Sequence, residues 1–71
     1  MLNKIKGYSL IPAELQAKFD ELYQRHLAAM GEDMRAKYEG KVNRIKYKQG
    51  VVEVHYLGTF WQYDLRSNVW Y

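Results

Sequence analysis

The sequence predicts an α+β fold, a two-layer sandwich in which one amphipathic helix packs on a three- to four-stranded antiparallel β-meander. Two observations support this prediction: apolar residues recur with a helical period over residues 12–30, and the period changes to two after Gly40. The chain has 71 residues, the length of one domain, predicted here to span residues 1–71. Because 48% of the residues are hydrophobic and 15% are aromatic, the composition excludes a disordered chain.

The helical period over residues 12–30 indicates an amphipathic helix with one buried face. Its apolar stripe consists of Leu15, Phe19, Leu22, His26 and Met30. Pro12 is expected at the first helical position, where its missing N–H loses no hydrogen bond. Met34 and Tyr38 continue the stripe, so the chain either extends the helix to about residue 38 or breaks near Gly31 into a second short helix over residues 32–38. We expect the break, because an unbroken helix would measure about 40 Å.

Alternation of apolar and polar residues predicts three strands, over residues 42–48, 51–57 and 59–65. They are joined by two-residue turns at Gln49–Gly50 and Leu57–Gly58. The two turns independently place the same residues on the inner face of the sheet: Ile45, Tyr47, Val52, Val54, Tyr56, Trp61 and Tyr63. A slip of one residue in either turn would scatter this set, so the agreement supports both registers.

The two ends of the chain show no clear period, and each leaves two alternatives open. Leu2, Ile5 and Tyr8 either add a short edge strand or pack irregularly against the sheet. Residues 69–71 form either a fourth strand beside the third or a tail against the helix.

Positive charge is concentrated in one stretch of the chain. The formal net charge is +3, yet residues 35–48 alone hold six Lys or Arg side chains and one Glu. In the predicted sheet, part of this stretch lies on the outer face, which is turned away from the helix. The candidate partner-binding residues on this face are Arg44, Lys46, Lys48, His55, Phe60 and Gln62.

Three interpretations of this basic row are open. Solvated lysines protect an edge strand against further pairing, with Lys46 and Glu53 forming an ordinary cross-strand pair. Alternatively, an acidic protein partner docks on the row, or nucleic acid binds it, with Lys41 added and Phe60 offering a ring for base stacking. An apolar patch of the kind that protein interfaces use is expected on the same face, formed by Val51, His55, Phe60 and Trp70.

No motif in the sequence indicates catalysis or metal binding. The absence of Cys excludes disulfides, thiolate zinc sites and a cysteine nucleophile. His26 and His55 lie far apart with no serine or carboxylate partner at a recognisable spacing, and His26 is expected as a hydrogen-bonded core residue. We therefore expect no enzyme, no cofactor and no metal.

These features predict a small non-catalytic interaction protein that binds another protein. In its size and cysteine-free composition the chain resembles the small accessory proteins of phages and mobile elements, which implies a host protein as the partner. The alternative is a nucleic-acid-binding module that uses the basic outer face, and a homodimer is also left open. The first residues lack the apolar run of about seven residues of a signal peptide, and no run of about eighteen apolar residues could span a membrane. We therefore expect a reducing cytoplasm and no membrane partner.

Overall fold

A two-layer α+β sandwich, as predicted, is seen in the computed structural model, which describes residues 2–71. One layer consists of helices and the other is a single antiparallel sheet. In chain order the elements are two 3₁₀ helices (Leu2–Lys4 and Tyr8–Leu10), helices α1 (Ala13–Ala29) and α2 (Glu32–Tyr38), and strands β1 (Arg44–Lys48), β2 (Val51–Tyr56), β3 (Thr59–Asp64) and β4 (Val69–Trp70).

The helical layer breaks where the sequence predicts. Met30 (φ −82°, ψ 146°) and Gly31 (φ −71°, ψ 168°) are extended and separate α1 from α2. Backbone angles in this range suit any residue, so the break does not require a glycine. Pro12 precedes α1 instead of occupying its first position, contrary to the prediction, because its ψ of 140° keeps it extended and the helix begins at Ala13.

The strands lie in the order β1-β2-β3-β4, and every neighbouring pair is antiparallel. Both predicted registers are confirmed: Ile45 lies opposite Val54, and Val54 lies opposite Trp61. In the first turn Gln49 (φ 48°) and Gly50 (φ 85°) both have positive φ, which is the geometry of a primed hairpin turn. The strands are shorter than predicted by up to two residues at one end.

The core lies between α1 and the inner face of the sheet. Phe19 and Leu22 of α1 are fully buried there, and Phe19 packs edge-on against Tyr63 with ring centroids 5.6 Å apart. The predicted inner face is confirmed, since its members are buried or lie partly buried against the core: Ile45, Tyr47, Val52, Val54, Tyr56, Trp61 and Tyr63.

The N-terminal segment packs irregularly and forms no edge strand. Its Lys6 carbonyl oxygen accepts a hydrogen bond from the backbone N–H of Ile45, at 2.8 Å. Gly7 has a φ of +96°, and a Cβ at this position would overlap the carbonyl oxygen of Ile45. Tyr8 is buried, and its hydroxyl donates to the carboxylate of Asp20 at 3.0 Å. The segment therefore covers the outward edge of β1 at Ile45.

A buried histidine joins α1 to the last two strands. His26 is 3% exposed, and its Nδ1 lies 2.6 Å from the hydroxyl oxygen of Tyr63. Its ring stacks on Trp70, with centroids 4.8 Å apart, and meets Trp61 edge-on at 4.6 Å. This confirms His26 as a hydrogen-bonded core residue, and burial lowers its pKa from the ordinary value. Both alternatives for the chain end hold, because β4 pairs with β3 while Trp70 packs against the helix.

Candidate partner-binding face

The outer face is the side of the sheet opposite α1, and all six candidate residues lie on it. Strand alternation and the observed registers arrange the face in three rows. The first row is Arg44, His55 and Phe60; the second is Lys46, Glu53 and Gln62; the third is Lys48, Val51, Asp64 and Val69. Arg44, Lys46, Lys48 and Phe60 are exposed, whereas His55 and Gln62 are half-buried. Neighbouring rows are about 6.7 Å apart and neighbouring strands about 4.8 Å.

The cations of β1 face solvent and form no ion pair with the residues that the structure describes. Within residues 2–71, neither Arg44, Lys46 nor Lys48 has a carboxylate oxygen within 4.0 Å. The predicted cross-strand pair of Lys46 and Glu53 is confirmed, since the two residues lie opposite each other. Their side chains form no ion pair, because the Glu53 carboxylate lies 2.9 Å from His55 Nε2 instead. The imidazole offers a short, stiff partner, while a lysine would lose more side-chain freedom on pairing.

The same contact corrects the expectation that His55 has no acidic partner. Glu53 is two residues away on the same strand, so both side chains project from the outer face. The Glu53 contact holds the imidazole where it stacks on Phe60, with ring centroids 4.9 Å apart and an interplanar angle of 16°. Phe60 is 47% exposed and therefore forms an accessible aromatic ridge beside its stacked partner.

The expected apolar patch has a different composition at the chain end. Trp70 lies opposite Tyr63 on the inner face, so its assignment to the outer patch is wrong. Because side chains alternate, the outer positions are Val69 and Tyr71, which are 46% and 60% exposed. The backbone N–H and carbonyl of Tyr71 exchange hydrogen bonds with Gln62, which extends the row. Sequence reasoning missed these two residues, although the parity of residues 69–71 in a fourth strand indicates them.

Neither a metal-binding group nor a membrane-spanning helix is found among the residues that the structure describes. In the part of the chain that the structure describes, no three His, Asp or Glu side chains are grouped to hold a metal ion. No helix among residues 2–71 is long and apolar enough to cross a membrane. The outer face is distinguished by the three β1 cations, which are unpaired within residues 2–71, and by its exposed aromatic ridge.

Comparison with known proteins gave no match to a family model, to a curated protein or to a solved structure. The functional interpretation therefore depends on the geometry of the outer face.

Proposed function

We propose that the protein is a small non-catalytic interaction protein that binds an acidic surface of another protein through its outer face. The observation that carries the proposal is the row of unpaired β1 cations beside the half-exposed Phe60. In keeping with the size and cysteine-free composition of phage-like accessory proteins, we propose a host protein in the cytoplasm as the partner.

Phe60 has the properties of an interface anchor. Binding energy at protein interfaces is concentrated in a few aromatic or Arg residues that become buried. Phe60 is held by its stack on His55, so little side-chain freedom is lost when a partner covers it. Val69 and Tyr71 add exposed apolar surface on the neighbouring strand.

Protection of the β1 edge against further strand pairing accounts for the β1 cations less well than partner binding does. The edge of β1 is already covered at Ile45 by the Lys6 carbonyl. The side chains of Arg44, Lys46 and Lys48 project from the outer face, perpendicular to that edge. This direction supports the proposed contact with a partner above the sheet.

The mixed charge of the outer face favours a protein over nucleic acid. Glu53 and Asp64 lie on the same face as the three cations of β1. A protein can match such a pattern with charges of both signs, whereas a phosphate backbone carries one sign only.

The proposal is tested by capture from host lysate with and without nuclease. The outer-face variant Lys46→Glu/Phe60→Ala should lose a discrete protein that the unaltered chain captures in both conditions. A matched control, Lys18→Glu/Leu10→Ala, changes one exposed cation and one exposed apolar residue outside this face and should capture normally. Unchanged capture by the folded outer-face variant contradicts the surface assignment.

Nucleic acid is the second candidate, because cations beside an exposed ring also suit a single strand. Arg44, Lys46, Lys48 and Lys41 would then contact phosphates. Four such contacts predict that log K falls with log salt concentration with a slope of about −3. If neither DNA nor RNA gives a gel shift at low salt, nucleic-acid binding is ruled out. Sedimentation at several protein concentrations tests separately whether the chain forms a homodimer.

A further inference from the structure

An open groove of about 520 Å³ adjoins the outer face at the β1–β2 turn. Three of its lining residues are cations: Lys46 and Lys48 of β1, and Arg66 from the turn after β3. Arg66 is outside the six candidate residues. The turn between β3 and β4 therefore contributes a further positive charge, that of Arg66, at one end of the outer face.

Arg66 is directed over the first hairpin by its neighbours. The Oδ1 atom of Asp64 accepts hydrogen bonds from the backbone N–H groups of Arg66 and Ser67, at 3.0 and 3.2 Å. The Arg66 side chain passes close to Gly50, where an added Cβ would lie 3.2 Å from its Nε atom. The glycine thus leaves room for the guanidinium stem, and the Arg66 side chain remains 74% exposed.

Two acids lie near the groove, and only Asp64 reaches one of the three cations, at 4.0 Å from Arg66. Glu53 contacts His55 at 2.9 Å, and Asp64 holds the two turn amides while its Oδ1 lies 4.0 Å from Arg66 Nε. The terminal guanidinium nitrogens of Arg66 and the ammonium groups of Lys46 and Lys48 have no carboxylate within 4.0 Å among residues 2–71.

We propose that this groove binds the carboxylates of an acidic, extended segment of the partner, an inference that rests on the proposed function. Arginine binds carboxylates through paired, planar N–H donors. Glu53 also lines the groove, and its negative charge would repel the closely spaced charges of a phosphate backbone. The separate carboxylates of a peptide can be positioned away from it. The charge pattern therefore favours discrete carboxylates.

The register of the sheet gives the spacing of such a segment. Lys48 lies two rows and two strands from Phe60, which corresponds to about 16 Å, or about five extended residues. Lys46 and Lys48 are one row apart, about 6.7 Å, which matches acidic residues at alternate positions of an extended chain. The expected segment has an apolar anchor followed three and five residues later by Asp or Glu.

The whole outer face measures about 19 by 18 Å, near 340 Å² of flat area. A standard protein interface buries about 800 Å² on each partner. A short segment fits this face better than a broad globular surface does, and its binding is expected to be weak.

The test uses the full chain labelled with ¹⁵N and the synthetic peptide Phe-Ser-Ser-Glu-Ser-Glu-Ser-Gly as the probe. Its addition should shift the backbone amide signals of residues 46–51 and 66. The same peptide with Gln in place of Glu should bind at least tenfold more weakly, since its charge-assisted hydrogen bonds are lost. Arg66→Gln should weaken binding of the Glu peptide about tenfold, while the control Lys18→Gln should leave it unchanged.

Each other outcome overturns the inference in a distinguishable way. If Arg66→Gln binds the Glu peptide normally but Phe60→Ala does not, the groove assignment fails and the proposed outer-face function stands. If inorganic phosphate or a ten-nucleotide oligothymidylate binds the groove more tightly than the Glu peptide, the carboxylate assignment fails in favour of phosphate. If the Glu peptide does not bind and lysate capture is also insensitive to Lys46→Glu/Phe60→Ala, both proposals fail.

Discussion

We expect Tyr63→Phe to lower the free energy of unfolding by about 2 kcal/mol. The hydroxyl of Tyr63 lies 2.6 Å from Nδ1 of His26, and Tyr63 is fully buried. The substitution keeps the ring that packs against Phe19 and removes only the hydroxyl. A lost hydrogen bond that leaves a buried polar group unpaired costs about 1–3 kcal/mol.

The direction of this hydrogen bond does not alter the prediction. Burial lowers the pKa of His26 and raises that of Tyr63, so the imidazole is neutral and the hydroxyl keeps its proton. One of the two groups donates and the other accepts. In either tautomer, Nδ1 of His26 has no other hydrogen-bond partner within residues 2–71 once the hydroxyl is removed.

Urea unfolding followed by circular dichroism measures the effect. In thermal unfolding of a chain of this size, the same loss of about 2 kcal/mol corresponds to a fall in Tm of about 8–16 °C. Tyr8→Phe is a matched control, because the Tyr8 hydroxyl donates to Asp20, an exposed residue whose carboxylate water can solvate. The control should lose about 0.5–1 kcal/mol.

A double variant tests the mechanism. Replacing both partners of a buried hydrogen bond by apolar groups removes the unpaired atom. His26→Phe/Tyr63→Phe should therefore be more stable than the sum of the two single variants predicts. The reasoning is refuted if Tyr63→Phe loses no more stability than Tyr8→Phe, or if the two substitutions are additive.

Three further predictions concern the pH dependence of stability and two glycines. Folding lowers the pKa of His26, so the unfolded chain takes up a proton at this site before the folded chain does as the pH falls. The contribution of His26 to stability is therefore fully present above about pH 6.5 and is lost as the pH decreases below that value. Urea unfolding between pH 7.5 and 5 should show this loss of stability, and His26→Gln should make the loss smaller. Gly7→Ala should destabilise the fold by more than about 1 kcal/mol, because position 7 has a positive φ and the new Cβ would overlap Ile45. Gly31→Ser adds a helix-capping hydroxyl in open space, and thermal unfolding should show that it stabilises the fold by a few tenths of a kcal/mol. A neutral Gly7→Ala variant would contradict the close approach of the N-terminal segment to β1.

The sheet could be predicted from the sequence because its two registers constrain each other. Placing Val54 opposite both Ile45 and Trp61 buries all three, and a one-residue slip would expose them. The alternation of apolar and polar residues therefore predicts which residues of different strands lie opposite one another. The N-terminal segment has no such period, and its position depends on the approach of Gly7 to Ile45, which only the folded chain reveals.

The outer-face residues of the first three strands could be predicted from the sequence, but the pairing of their side chains and the outer residues at the chain end were not predicted. Alternation places Lys46 and Glu53 on one face, yet the choice of Glu53 between Lys46 and His55 depends on side-chain geometry. Arg66 escaped prediction because it lies in a turn, where no period assigns a face. Its position over Gly50 follows from the tertiary path of the chain.

The buried histidine gives the chain an internal optical reporter. The sequence has two tryptophans, and both rings lie within 5 Å of the His26 ring by centroid distance. Their emission is expected to respond when the imidazole gains a proton or the helix separates from the sheet. The outer face carries no tryptophan, so the spectrum can distinguish an opened core from an occupied surface without any added label.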